Sequence, residues 1–298
     1  MKKFNMQDFH LRRLPRYLLI CTMVLLAACS SLRLAYNHGD TLLYWWLDAY
    51  VDLDSDQKAW VKKDIDNLFL WHRNTQLHDY IQVLQNGQRQ LQGNVTAADL
   101  QADYNDIKSR SQLLLFKALP ELADLARSLR PEQIAQMEKK FASNNDEFRK
   151  KNLKGDRDKQ LKYRYQRSME QFELWFGSFS SDQEAIIRKA SDARPLDNNF
   201  WLDERIRRQQ AIVALLQKVQ HDKLSKDATM AQIHTLIRDS FDRLDHSERQ
   251  SFTDAYNDGT IQLILTVIRI ATPAQKAHAQ KRMQGWIDDF NTLATEPH

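Results

Sequence analysis

This 298-residue sequence predicts an all-α fold: an elongated bundle of about nine or ten helices behind a cleaved leader. Three observations predict it. Strong breakers are scarce, with only 7 Gly and 6 Pro. Apolar residues recur at steps of three and four, the period of a helix face. No paired alternating runs bounded by Asn-Gly or Asp-Gly turns occur, so strand hairpins have no signature.

The elements follow in chain order. Lys2, Lys3, Arg12, Arg13 and Arg16 form a basic head. The apolar run from Tyr17 to Ala28 falls short of the ~20 residues a bilayer span needs. Small residues close it, which is the layout of a secretory signal peptide over 1–28. Residues 29–298 then form the helical body, with helices expected over 40–50, 55–86, 97–128, 131–152, 157–177, 181–191, 198–221, 227–243, 246–270 and 273–294. Gly93, Gly155, Gly177, Pro195 and Pro273 supply breaks, and the seams for a subdivision fall near 155 or 195. Val61, Ile65 and Leu68 mark one stripe; Leu113, Phe116 and Leu119 a second; Ile206, Val213, Leu216 and Val219 a third. The segment from Thr260 to Ala271 is β-branched and very apolar. It is too short to span lipid and carries Arg269, so it is expected as a core helix.

The stretch Leu26-Ala27-Ala28-Cys29 resembles the lipobox of bacterial lipoproteins. The resemblance implies cleavage before Cys29, a diacylglycerol on its sulfur and acylation of the new amine. One acyl chain holds a protein only marginally, whereas two or more hold it firmly. Ser30 rather than Asp after the cysteine resembles the sorting pattern for the outer membrane, with the body facing the periplasm. The lipid bilayer is then the first partner, reached through Cys29. Cleavage removes five of the 43 basic residues and one of the 39 acidic ones, leaving 38 of each. A neutral mature chain lacks the basic footprint of a nucleic-acid binder. Cys21 leaves with the leader, so no thiol remains for a disulfide, metal or nucleophile.

Five helix starts share one form: an apolar residue, a cap, two residues, then Gln or Glu. They are Leu53 to Gln57, Leu129 to Gln133, Phe179 to Gln183, Leu244 to Glu248 and Ala271 to Gln275. This is the capping box, with Pro131 and Pro273 at the first helical position; Arg130 is a poor cap. The pentapeptides resemble the Leu-Thr-x-x-Gln motif of Spy-type periplasmic chaperones, which are all-helical cradles that hold unfolded clients. More widely, the mature chain resembles a bacterial lipoprotein family known only as a domain of unknown function, best over 36–57 and 71–80. That likeness implies the same location and an all-helical body, and no activity.

The densest chemistry lies near the start of the body. Tyr36, Asp40, Trp45, Trp46, Asp48, His72 and Arg73 are the candidate binding surface. Of the adjacent Trp45 and Trp46, one is expected between helices and the other against a neighbour, membrane or partner. A basic run offers Lys150, Lys151, Lys154, Lys162 and Arg164 as candidate contacts for an anionic surface.

Catalytic signatures are missing. Asp52, Asp54 and Asp56 begin like a calcium loop, but Gln57 takes the glycine position and Lys63 that of the final Glu. No His-Glu-x-x-His, Gly-x-Ser-x-Gly or P-loop occurs. The expectation is a binding or scaffolding module without catalytic residues, metal or cofactor, whose partner is an envelope protein or an unfolded client. The alternatives are a Spy-like holdase and a cell-wall hydrolase working through a carboxylate.

Overall fold

The computed structural model describes residues 32–296; the leader and Cys29 lie outside them. Among the described residues the chain is all-helical, with thirteen helices and no strand. A first helical stretch covers 32–37. Then follow α1 (Gly39–Val51), α2 (Ser55–Thr75), α3 (Leu77–Gln92), α4 (Ala97–Lys117), α5 (Leu119–Ser128) and α6 (Pro131–Phe148). The second half holds α7 (Arg157–Phe176), α8 (Ser181–Ala193), α9 (Asn198–Asp222), α10 (Lys226–Asp242), α11 (Gln250–Ile270) and α12 (Pro273–Thr295).

The expected nine or ten helices become thirteen for three local reasons. A short helical stretch at 32–37, where helix signals already resume in the sequence, stands as a separate helix ahead of the one expected over 40–50. The expected 97–128 helix breaks at Ala118, because Pro120 has no N–H to return to the preceding turn. The expected 55–86 helix breaks at Gln76, whose φ of −104° departs from helical geometry although its N–H still reaches the His72 carbonyl at 2.8 Å. Gly155 and Gly177 do end helical segments, at φ +87° and +77°, a region that favours glycine.

Two hydrophobic cores form. The first gathers Val51, Leu53, Val61, Ala123, Leu129, Ile134, Val213 and Leu216 from α1, α2, α5, α6, α9 and their junctions, with α10 closing it through Ile233 and Ile237. The second gathers Leu91, Met169, Phe176, Ile187, Leu263, Val267 and Ala279 from α3, α7, α8, α11 and α12. Neither 155 nor 195 alone separates these sets, since Leu91 belongs to the second core and Val213 to the first. The 260–271 segment lies in α11, where Leu263, Leu265 and Val267 are buried. The stripe of Leu113 is only partly used: Leu119 is buried, while Leu113 is exposed and α4 buries no residue at all. No described helix is long and apolar enough to cross a membrane.

Candidate functional site

Four of the five glutamate- or glutamine-bearing helix starts meet in two interlocked pairs. At each, the Gln side chain does two things. Its Oε1 accepts the N–H of its own cap residue: Asp54 at 3.1 Å, Arg130 at 2.9 Å, Ser180 at 3.0 Å and Thr272 at 2.8 Å. Its Nε2 crosses to the opposing junction and donates to the carbonyl just before that motif. Gln57 reaches Ser128 O at 3.0 Å and Gln133 reaches Asp52 O at 3.0 Å. Gln183 reaches Ile270 O at 2.8 Å and Gln275 reaches Ser178 O at 2.7 Å. The two amides of each pair also bond each other, Gln133 Nε2 to Gln57 Oε1 at 2.7 Å and Gln183 Nε2 to Gln275 Oε1 at 2.9 Å.

The packing repeats with the bonding. In the first pair α1 packs on α6 and α2 on α5; in the second, α7 packs on α12 and α8 on α11. The helix before each motif therefore lies on the helix after its partner. Glutamine is required because a glutamate could accept from the cap but would have no N–H for the opposing carbonyl. The remaining start takes no part in such a pair. Leu244 to Glu248 carries an acid, and there α11 begins only at Gln250, with Arg249 as an unassisted cap. This corrects the expectation of a fifth capping box. A box missed in the sequence, Thr96 with Asp99, also ends in an acid and also stands alone.

Arg130 is indeed no cap, yet it has a role. Its guanidinium pairs with Asp54, the cap of the opposing motif, and with Glu132 at 2.6 Å. The Gln57 N–H first, then Arg130, holds the Asp54 carboxyl below the ordinary carboxylate range.

The N-terminal cluster divides. Tyr36 Oη meets His72 Nδ1 at 2.8 Å, and Arg73 donates to Asn37 Oδ1 at 2.7 Å while lying 5.4 Å from the Tyr36 ring. Arg73 is 5 % exposed, and its Nε has no partner. Burial pushes the Tyr36 phenol up to about 12 and the His72 imidazole below its ordinary value. These three residues pin 32–37 onto α2. Asp40 bonds the Thr41 N–H, and Asp48 accepts from Leu53 N at 2.9 Å with Lys58 at 3.8 Å. Among the described residues no hydrogen bond or ion pair joins Asp40 or Asp48 to His72 or Arg73. Trp45 and Trp46 are 61 % and 57 % exposed, so neither is packed between helices as expected; Trp46 only leans on Tyr50, ring centroids 4.8 Å apart. Two successive residues on an edge helix can both face outward when the buried face is already filled, here by Leu43, Tyr44 and Leu47.

The basic run also divides. Lys150, Lys151, Lys154 and Lys162 are exposed around the π-turn Arg149–Leu153 and the start of α7. Arg164 turns inward, donating to the carbonyls of Pro195, Ser191 and Arg194 at 2.7 to 3.1 Å, and burial drops its pKa to about 10. It fastens the C-terminal end of α8 and is removed from the candidate anionic-surface contacts.

The feature with the clearest capacity to bind was not legible in the sequence. An apolar cleft of about 680 Å³ opens beside the first core. Trp46, Tyr50, Phe141, Ile212, Leu215 and Leu236 line it, together with Arg205 and Arg208, and no carboxylate does. Arg205 uses its Nε on Asn145 at 2.9 Å and Arg208 uses its Nε on the Glu204 carbonyl at 3.3 Å, so neither charge is neutralised by an acid. Its volume and lining match a ligand pocket, mostly apolar with a few polar groups fixing orientation. The only signal in the sequence was the pair Arg205 and Arg208, at i and i+3 on the helix that carries the stripe Ile206, Val213, Leu216 and Val219. Among the described residues no group of three or more His, Cys, Asp or Glu could hold a metal ion.

No curated protein and no solved structure matches this chain. Residues 49–240 match a family described as a family of unknown function, DUF6279, and the match spans both motifs of the first pair and the cleft residues from Tyr50 to Ile237, with Trp46 and Leu47 just before it. The chain therefore belongs to the DUF6279 family.

Proposed function

We propose that this protein is a lipid-anchored binding module of the bacterial envelope, held at the outer membrane through acylated Cys29, facing the periplasm and without catalysis. Its working surface is the cleft between α1, α5, α6, α9 and α10. The occupant is an apolar segment of a partner polypeptide with an acidic residue beside it. One observation carries this reading: a 680 Å³ apolar cleft with two uncompensated arginines and no acid in its lining. Apolar burial supplies affinity, and the guanidiniums choose partner and register. The paired glutamines keep the cleft walls fixed, since α1, α5 and α6 all end or begin at the Gln57–Gln133 junction.

The Spy-like holdase is the second reading, favoured by the four Gln boxes and by the exposed apolar cleft. In-cell photocrosslinking separates the two. A crosslinker at Trp46 or Ile212 is expected to trap one discrete partner, lost on Ile212→Asp, while a crosslinker at Arg73 traps none. A broad ladder of products, with suppression of client aggregation by the purified protein, would replace the scaffold with the holdase. Absence of adducts at both cleft positions would refute binding at the cleft. Muropeptide release from sacculi that disappears on Asp48→Ala would instead establish the hydrolase.

A further inference from the structure

The helix that begins the body is apolar on two opposite faces. Tyr36, Leu43, Tyr44, Leu47 and Val51 face inward, with Tyr44 buried and Val51 fully so. Leu34, His38, Leu42, Trp45 and Ala49 recur at steps of four, four, three and four on the other side, and all are exposed. Leu34 is 61 % exposed and Leu42 53 %. The kink at His38 barely interrupts this line, because the His38 N–H still bonds Leu34 O at 3.2 Å and the Leu42 N–H bonds His38 O at 3.0 Å. The three formally charged side chains between 32 and 51 are Arg33, Asp40 and Asp48, and none is on the exposed face. Arg33 is drawn away to Asp289 at 3.3 Å. In a chain with 28 % charged residues, an exposed helix face with no formal charge is unusual. A soluble helix normally presents a charged outer face.

We infer that this face, Leu34–Leu42–Trp45 with Trp46 at its edge, rests in the headgroup layer of the bilayer that holds the anchor. The inference depends on lipidation of Cys29. Covalent geometry then limits the choice of occupant: four residues lie between Cys29 and Leu34, so five Cα steps keep the two within about 17 Å. The start of the helix cannot leave the membrane surface, so its uncharged side has lipid within reach. Tryptophan suits that layer, with an apolar body and a polar N–H. The helix lies on the membrane and does not span it, consistent with the absence of any spanning helix among the described residues. The consequence for the cleft is direction: Trp46 belongs to both surfaces, so the mouth of the cleft opens beside the bilayer.

The test uses full-length lipidated protein in vesicles of phosphatidylethanolamine and phosphatidylglycerol. A spin label is placed by Leu42→Cys and, as control, by Leu113→Cys, two exposed sites where labelling leaves the fold intact. The label at 42 is expected to collide readily with oxygen and several-fold less with an aqueous nickel chelate than the label at 113. If the protein floats with the vesicles and its Cys29 carries the lipid mass, yet the label at 42 is as water-accessible as that at 113, the docking inference is overturned and the anchor stands. Equal shielding at both sites also overturns it, because no particular face is then chosen. If Cys29 carries no lipid mass and the protein does not float, the anchor reading fails and the inference goes with it.

Discussion

The two glutamine pairs share a bonding scheme and differ in their caps and burial. Around Ser180 and Thr272 both cap hydroxyls accept the N–H of their own Gln, at 3.3 and 3.2 Å. In the first pair Asp54 does so at 2.8 Å, whereas Arg130 has no such group and reaches across to Asp54 instead. Gln57 and Gln133 are also the more deeply enclosed, 3 % and 2 % exposed, while Gln183 is partly open. The scheme therefore tolerates the loss of a cap but not the loss of the carboxamide. A cap side chain satisfies one backbone N–H that water can also reach. The glutamine satisfies groups on two junctions at once, where water cannot substitute.

The largest expected effect tests that difference directly. Gln133→Ala leaves the Asp52 carbonyl and the Arg130 N–H without their side-chain partner and removes one of the bonds to the Gln57 amide, a loss of about 3 kcal/mol. Gln183→Ala, in the more open pair, should cost about half as much on the same scale. Denaturant midpoints of both variants check this, and equal losses would show that burial does not set the cost. Next comes coupling. A double-mutant cycle on Gln57 and Gln133 should give an interaction of about 1–2 kcal/mol, as residues in one hydrogen-bond network do. The same cycle across pairs, on Gln57 and Gln275, should give none within error.

A smaller effect concerns pH and belongs to the first half of the chain alone. The His72 imidazole is held below its ordinary pKa by burial, so the unfolded chain binds the proton more readily than the folded one. The stability this reflects is complete above about pH 6.5, the unfolded value, and declines as pH falls from there toward the depressed folded value. Amide protection relative to the intrinsic exchange rate should fall at 32–37 and the end of α2 over that interval, and His72→Phe should flatten the dependence while protection in α8 and α11 stays unchanged. The smallest effect is Arg130→Ser. It restores a capping hydroxyl and removes the bridge, so the Asp54 carboxyl should titrate at higher pH while remaining below the ordinary range, because the Gln57 N–H is the larger cause of its depression. A carbon-13 titration of the carboxyl reports this.

Much of this architecture was legible in the residues. Helical period, scarce breakers and four of the capping boxes give the all-α class and most helix starts within a residue or two. The fifth box failed although Glu248 could accept a cap N–H as Asp99 does, because a 3-10 turn over Arg243–His246 delays the start of α11 to Gln250. The break at Ala118 was written in Pro120 and was overridden by the apolar stripe around it. Trp45 and Trp46 were recognisable as unable to share one core, but the filled inner face of α1 is what turned both outward. Arg164 read as surface charge because a linear run does not reveal that the end of α8 lies within its reach.

Sequence alone determined the helices, their caps, the neutral balance of residues 29–298 and the family to which the chain belongs. These are local properties, set by side-chain period, by hydrogen bonds within one turn and by composition. Tertiary structure alone decided which junctions interlock, where the arginine-rimmed cleft opens and which face of the first helix stays bare. These depend on distant segments meeting: the junctions bond at about 3 Å across separations of 71 to 97 residues and the cleft brings Trp46 together with Leu236, contacts that no local pattern specifies.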